Sequence, residues 1–579
     1  MTLSRTAHWQ SIHRPWDLLI IGGGITGAGI LREAARLGLK ALLVEQRDFA
    51  WGTSSRSSKL VHGGLRYLKQ GKFRLTRASV RERQELLHEG PGLIDPLGFL
   101  LSVYKGDFPG RLTFALGLTV YDLLALRWDH AYYSPQDFQR LAPYIARKNL
   151  ECGFRYGDAQ TDDARLTLRV LQEACAESDG QACALNYVRA ESLLRAEGKV
   201  VGAVLHDLET DARAEAHARV VINATGAWAD TLRSQLGEEA RIRPLRGSHL
   251  IFPAWRLPLT QAVSFLHPVD RRPVFIFPWE GVTLVGTTDV DHPTSLDEEP
   301  AISPQEVSYL MAAVEAEFPD LHLGLEDVQS TFAGVRPVIG SGQEDPSKES
   351  REHVLWDESG LLTVTGGKLT TFRLIAQDAI RAVRHRLPGV PDLGRNPPVL
   401  DPVDLALPTA RGLDEPLRRR LLGRYGARAP ALTMAAHPGE LEPIPGTHTL
   451  WAELRWTARH EQVCHLDDLL LRRTRLGLLL PQGAAGLFPA LQGICQQELG
   501  WTAERWLSER ARYQALWQRC YSLPPTDHIP DWREPVRQAL AFRAAQPSIP
   551  RRALPPTILG VLLAGLGLLG YWLYRRNKK

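Results

Sequence analysis

Apolar residues open the chain in short, uncharged runs separated by glycine. Leu18-Leu19-Ile20-Ile21 and Ala41-Leu42-Leu43-Val44 are continuous runs, and Ile25 to Gly38 lies between them. Continuous apolar runs of this length predict strands covered on both faces, so the unit reads strand, turn, helix, strand. The turn carries Gly22, Gly24 and Gly27. Gly22 permits the tight turn, Gly24 lets the backbone approach a pyrophosphate, and Gly27 lets the helix pack closely with its N-terminus toward the phosphates. Glu45 ends the second run, roughly 20 residues beyond the glycines, where a ribose-binding carboxylate belongs. Strand, glycines, helix, strand and acid in this order predict a dinucleotide cradle.

Further along, the pattern changes character several times. Trp51 to Tyr67 is dense in Ser and Gly and predicts a loop beside the cradle, and Arg77 to His88 has helical patterning. Asp162-Asp163 precede the helical run Ala164 to Leu171, where an aspartate caps the helix. Arg219 to Asn223 is a strand running into Ala224-Thr225-Gly226, a second place for backbone to approach a cofactor. Leu245 to Asp289 is β-rich and predicts a sheet-based substrate domain inserted into the nucleotide fold. Leu361 to Thr371 repeats strand, glycine turn and helix start, with Gly367, Lys368, Leu369 and Thr370 at the turn; its free N–H groups suit an electron-rich ring system. Pro and Gly mark a linker from Val390 to Pro408, after which helical spacing predicts a separate helical domain over 409–545. Within it, Leu466 to Arg475 reads as an amphipathic packing helix.

The C-terminus departs from everything before it. Ala553 to Tyr574 has no charged residue and is bracketed by Arg551-Arg552 and by Arg575-Arg576-Asn577-Lys578-Lys579. Its roughly 22 residues reach about 33 Å at 1.5 Å per residue, enough for a bilayer core of about 30 Å. Tyr571, Trp572 and Tyr574 cluster at one end as interfacial aromatics do. A single transmembrane helix over 553–574 is expected. Met1 to Trp16 is polar, with no apolar run of signal-peptide length, which places the body on the cytoplasmic side of the inner membrane; the basic flanks do not decide where the tail ends.

Composition narrows the partners. With 69 basic against 65 acidic residues in 579, the net charge of +4 leaves no general nucleic-acid footprint. The six cysteines form no CxxC pair and fit a reducing compartment. No metal site is expected; His460, Cys464 and His465 have helical spacing but receive no role.

Six separated motifs together resemble the FAD-dependent, quinone-linked glycerol-3-phosphate dehydrogenase family. They are Gly22 to Gly29, Thr53 to Leu68, Asp162 to Leu166, Gly286-Thr287-Thr288-Asp289, Gly334-Val335-Arg336-Pro337 and Gly366 to Thr371. The resemblance, not any spacing, supplies FAD over NAD and the substrate. It implies an α/β fold in which a Rossmann-type FAD domain with an inserted β-rich substrate domain spans 15–390. It also implies oxidation of sn-glycerol 3-phosphate to dihydroxyacetone phosphate by hydride transfer to flavin, with electrons passed to a membrane quinone. By matching position, Arg66, Tyr67, Arg336 and Arg351 grip the phosphate or the polar end of the substrate, arginine's fork suiting that group. His249 leads as base, with His62 its rival; Lys368 stabilises negative charge on reduced flavin or touches substrate. Thr53, Ser54, Ser58 and Lys59 are expected to line the flavin. A homodimer is compatible with the resemblance, which does not set the oligomeric state. Three alternatives stay open: an oxidase on the same site using oxygen, an FAD-dependent amine or amino-acid oxidase, and a membrane-anchored flavoprotein scaffold without turnover.

Overall fold

The strand Trp16–Ile21 lies in the middle of a parallel sheet, and its alternation explains the unbroken apolar run. Leu18 and Ile20 enter the core on one side, while Leu19 and Ile21 enter the core on the other. Both faces are covered from Leu18 to Ile21, where no polar position occurs, and Asp17 is half-buried near the strand start. The strand pairs in parallel with Ala41–Val44, Leu18 opposite Ala41, and with Arg213–Asn223, Leu18 opposite Val220. Leu361–Gly366 and then His353–Glu358 extend the sheet on one side, and Ala182–Leu185 on the other. The structure, a computed structural model, describes residues 5–64, 73–107, 109–125, 128–178, 180–340, 349, 352–387, 389–391, 397–403, 407 and 412–545.

A second sheet of ten strands stands beside the first. Its strands come from two stretches of chain: Leu60–Val61, Ile94–Tyr104, Ala131–Tyr133 and Leu150–Thr161 from the first, and Ile242–Pro253, Ala262–Leu266, Pro273–Trp279, Val282–Gly286, Val290–Asp291 and Ser330–Ile339 from the second. Ala262–Leu266 runs parallel to Ile94–Tyr104 and joins the two contributions. The expected insertion is therefore built from chain on both sides of the segment 162–241, which returns to the first sheet.

The helices Trp451–His460, Phe488–Leu499 and Ala503–Cys520 share a core with the second sheet, while Glu415–Tyr425 packs in a smaller cluster of its own. Leu454, Leu469, Tyr513 and Trp517 belong to the same apolar cluster as Phe99, Phe154 and Phe277. Leu466 to Arg475 is not the amphipathic packing helix its pattern predicts. It contains a π-helical turn, Asp468–Arg473, and its charged residues are as buried as its leucines. Arg473 clasps Asp48 at 2.6 and 2.8 Å, and Arg472 reaches Asp467 at 2.7 Å. Cations survive burial only when paired and hydrogen-bonded, and the partner of Arg473, Asp48, lies 425 residues away. Among the described residues no helix is long and apolar enough to cross a membrane; the stretch 553–574 lies outside them.

Candidate active site

The helix Ile25–Arg36 starts at Gly24, which offers no side-chain cap, and this start lines a cleft between the two sheets. Ser54 Oγ accepts from Ile25 N at 2.9 Å and brings the loop 51–59 against this helix start. Gly22 has φ +118, a conformation closed to side chains, and a Cβ on Gly27 would lie 1.9 Å from the Gly22 carbonyl oxygen. Glu45 accepts from Gly23 N at 2.7 Å and Arg47 N at 2.9 Å, and burial raises its carboxyl above the ordinary range. At the other end of the cleft, Gly366 and Gly367 have φ +77 and +78, and Lys368 precedes the turn Leu369–Thr371. A carboxylate, a helix N-terminus and a second glycine turn along one cleft fit a dinucleotide, because phosphates need exposed N–H donors and close backbone approach.

The neighbouring face of the second sheet is organised by glycines. Ile242–Pro253 and Ser330–Ile339 are antiparallel, with Leu245 opposite Arg336, Gly247 opposite Gly334 and His249 opposite Phe332. Directly paired residues point to the same face, so Arg336, His249 and Phe332 share one side with two glycines between them. A Cβ on Gly247 would meet Arg336 Nη2 at 2.2 Å, and one on Gly286 would meet His249 Cδ2 at 2.2 Å. The missing side chains are the space that these two functional side chains occupy.

His249 stacks on Phe332 with ring centroids 4.4 Å apart and only 10° between planes. Its Nε2 is hydrogen-bonded with Ser58 Oγ at 2.9 Å, and its Nδ1 is buried without a hydrogen-bond partner. Burial, reinforced by the positive charges of Arg336 and Lys59, holds its pKa well below 6.5. The imidazole is therefore neutral at physiological pH, with one ring nitrogen unprotonated. Arg336 donates to Asp289 Oδ1 at 3.0 Å, to the Thr288 carbonyl at 3.2 Å and to Thr287 Oγ1 at 3.0 Å. The next residue of its strand, Pro337, lines the dinucleotide cleft.

Of the residues expected at the cofactor, Gly22, Gly24, Glu45, Thr53, Ser54, Gly226, Gly367, Lys368 and Leu369 line the cleft. Gly27 lies beneath it, at the helix packing contact described above. Thr370 is buried and donates to the His62 carbonyl at 3.2 Å. Ser58 and Lys59 do not face the cleft: Ser57 lines it in their place, while Ser58 turns to His249. Lys59 is fully buried, its ammonium bonded to Asp163 at 2.9 Å and to the Ser55 carbonyl at 3.0 Å, against the Phe332 and Trp279 rings. Burial brings it down to about 8 despite Asp163. The hydroxyl-rich pattern of the loop cannot tell Ser57 from Ser58, because their partners, Asp163 and His249, come from distant parts of the chain. Asp163 is more than the helix start that its sequence pattern predicts. Asp162 is the cap, accepting from Arg165 N at 3.2 Å, and the adjacency of a second acid was the available signal. Arg66, Tyr67 and Arg351 lie outside the described residues.

The FAD dependent oxidoreductase family matches residues 17–375, and the C-terminal domain of alpha-glycerophosphate oxidase matches residues 364–506. The aerobic glycerol-3-phosphate dehydrogenase of Staphylococcus haemolyticus is 35% identical over 500 residues, 82% of this chain and 89% of that one. Its counterpart in Bacillus subtilis is 40% identical over 380 residues, 65% of this chain and 68% of that one. The crystal structure of glycerol-3-phosphate dehydrogenase from Bacillus halodurans, complexed with FAD, superimposes with a TM-score of 0.70 at 30% identity, covering 88% of this chain and 96% of that one.

Proposed function

Because this chain belongs to the FAD-dependent glycerol-3-phosphate dehydrogenase family, we propose that it oxidises the secondary alcohol of sn-glycerol 3-phosphate to dihydroxyacetone phosphate and passes the electrons to a membrane quinone. The observation that carries this reading is the glycine-cleared sheet face, which sets a neutral, buried His249 beside Arg336 on a strand whose next residue lines the dinucleotide cleft. FAD, when bound in that cleft, supplies the hydride acceptor. Arg336 binds the substrate phosphate through its fork, and Asp289 holds that fork in place. Arg66, Tyr67 and Arg351 complete the grip on the polar end. His249 accepts the hydroxyl proton, with Ser58 orienting its ring. Lys368 lends positive charge at the glycine turn. Ala553 to Tyr574 holds the body on the cytoplasmic face of the inner membrane, beside a quinone pool.

A second reading, an oxidase delivering electrons to oxygen, is favoured by the C-terminal match to alpha-glycerophosphate oxidase. One experiment separates the two. The detergent-solubilised, flavin-loaded protein is mixed anaerobically with sn-glycerol 3-phosphate while the oxidised flavin absorbance is followed. Bleaching that a quinone analogue reverses faster than air supports the dehydrogenase, and faster reversal by air supports the oxidase. No bleaching refutes the substrate assignment.

A further inference from the structure

Asp163 gathers donors from two distant parts of the chain. It is fully buried at the start of the helix Asp163–Glu177. Its Oδ2 accepts from Ser57 N at 2.9 Å and Ser57 Oγ at 2.7 Å, and its Oδ1 accepts from Lys59 at 2.9 Å and from Arg475. Arg475 comes from the C-terminal helical segment, immediately after its π-helical turn. The same guanidinium reaches the Ser55 carbonyl at 3.2 Å and Asp162 Oδ1 at 2.9 Å. Ser55 ends the turn Thr53–Ser55, and Thr53, Ser54 and Ser57 all line the cleft. Arg475 itself sits at φ +64, a backbone region that residues with side chains seldom occupy unless surrounding contacts enforce it.

We propose that Arg475 and Asp163 are positioning residues that fasten the loop 53–57 against the cofactor cleft, so that the helical segment sets the affinity for FAD. This rests on the cleft being the FAD site. Side chains of Thr53, Ser54 and Arg56 tie the loop to Val335, Ile25 and Glu299, and the backbone at Ser55 and Ser57 is held from Arg475 and Asp163. Its hydroxyls are small, and two backbone atoms, Ser55 O and Ser57 N, are pinned by charged groups rather than by a strand partner. Charge-assisted bonds in a dry interior are strong and directional, so they transmit the position of the helical segment to the loop. Arg475 touches neither cofactor nor substrate in this scheme; it acts through Ser55 and Ser57.

The test uses the full chain, reversibly stripped of flavin, with FAD binding followed by quenching of flavin fluorescence and thermal unfolding of the stripped protein measured alongside. Arg475→Lys keeps the charge and loses the fork, and Ser57→Ala removes a loop-side bond without leaving a buried charge unpaired. Each is expected to raise the Kd for FAD about tenfold, equivalent to about 1.4 kcal/mol. Arg455→Ala, which removes pairs with Glu440 and Glu498 far from the loop, is expected to lower the unfolding temperature and leave the Kd unchanged. FAD affinity within twofold of wild type in both Arg475→Lys and Ser57→Ala overturns the proposal. An Arg455→Ala effect as large as theirs also overturns it, since general loosening then explains all three. Wild-type protein that takes no FAD refutes the reading of the cleft instead, and the fastening role falls with it. If Arg475→Lys does not fold, Ser57→Ala decides the matter alone.

Discussion

Gly247→Ala separates the fold from the chemistry at one atom. The added Cβ would stand 2.2 Å from Arg336 Nη2, 2.5 Å from its Cζ and 2.6 Å from Nη1. Ordinary contact requires the guanidinium to withdraw by about 1 Å, and because it ends a flexible side chain the cost in stability is about 1 kcal/mol or less. That same movement stretches the 3.0 Å bonds to Thr287 and Asp289 past hydrogen-bonding range. A charged hydrogen bond contributes about 1.5 to 3 kcal/mol, so kcat/KM for sn-glycerol 3-phosphate is expected to fall roughly 10- to 100-fold, mostly through KM. FAD content should match wild type, since Gly247 does not line the cleft. Steady-state kinetics on flavin-loaded protein, with the flavin-to-protein ratio measured on each sample, provide the assay. Gly334→Ala is the contrasting variant. Its Cβ would lie 2.4 Å from the Arg56 carbonyl, which is backbone and cannot swing aside, so about 1 to 3 kcal/mol of stability should be lost. A wild-type KM in Gly247→Ala, or loss of flavin in proportion to activity, would refute the assignment of Arg336 as the phosphate clamp.

Three further outcomes are expected. Gly27→Ala puts a methyl 1.9 Å from the Gly22 carbonyl and should expel FAD, read as an apoprotein that adding FAD does not restore; normal flavin content would contradict the cradle. Glu317 is buried, accepts from Ser102 Oγ at 2.7 Å, and is pushed by burial from 4.5 up to about 7. Between those values the folded protein holds a proton that the unfolded chain releases, so this contribution to stability is present at low pH and is lost as pH rises through 7. Glu317→Gln should therefore gain stability over wild type by about 3 kcal/mol at pH 8 and by little at pH 4.5, measured as unfolding temperatures; equal gains at both would disprove the argument. Deleting Ala553 to Lys579 should release active, flavin-loaded protein from membranes, and firm attachment of the truncated chain would show that another surface holds it.

How far the chain could be read from sequence depended on the range of the interactions involved. The first strand, its glycines, the helix and Glu45 were legible because each answers to neighbours a few residues away: a φ of +118 at Gly22 or a close approach at Gly27 selects glycine whatever the rest of the fold does. His249 and Arg336 were legible only through resemblance. The reason they belong together is the register that sets Leu245 opposite Arg336 and His249 opposite Phe332, and no local pattern states which strands will pair. Arg475, Arg473 and Lys59 misled for the same reason. A buried cation needs a counter-charge, and theirs are supplied by Asp163 and Asp48 across more than a hundred residues, which neither the helical periodicity at Arg473 and Arg475 nor the flavin contact expected of Lys59 states. The sequence by itself determined where a dinucleotide can be cradled, since that rests on backbone conformation. The tertiary structure decided which loop serine faces the cleft and which lysine is buried. It also decided what the helical segment holds, because those outcomes depend on partners that only folding brings within hydrogen-bonding distance.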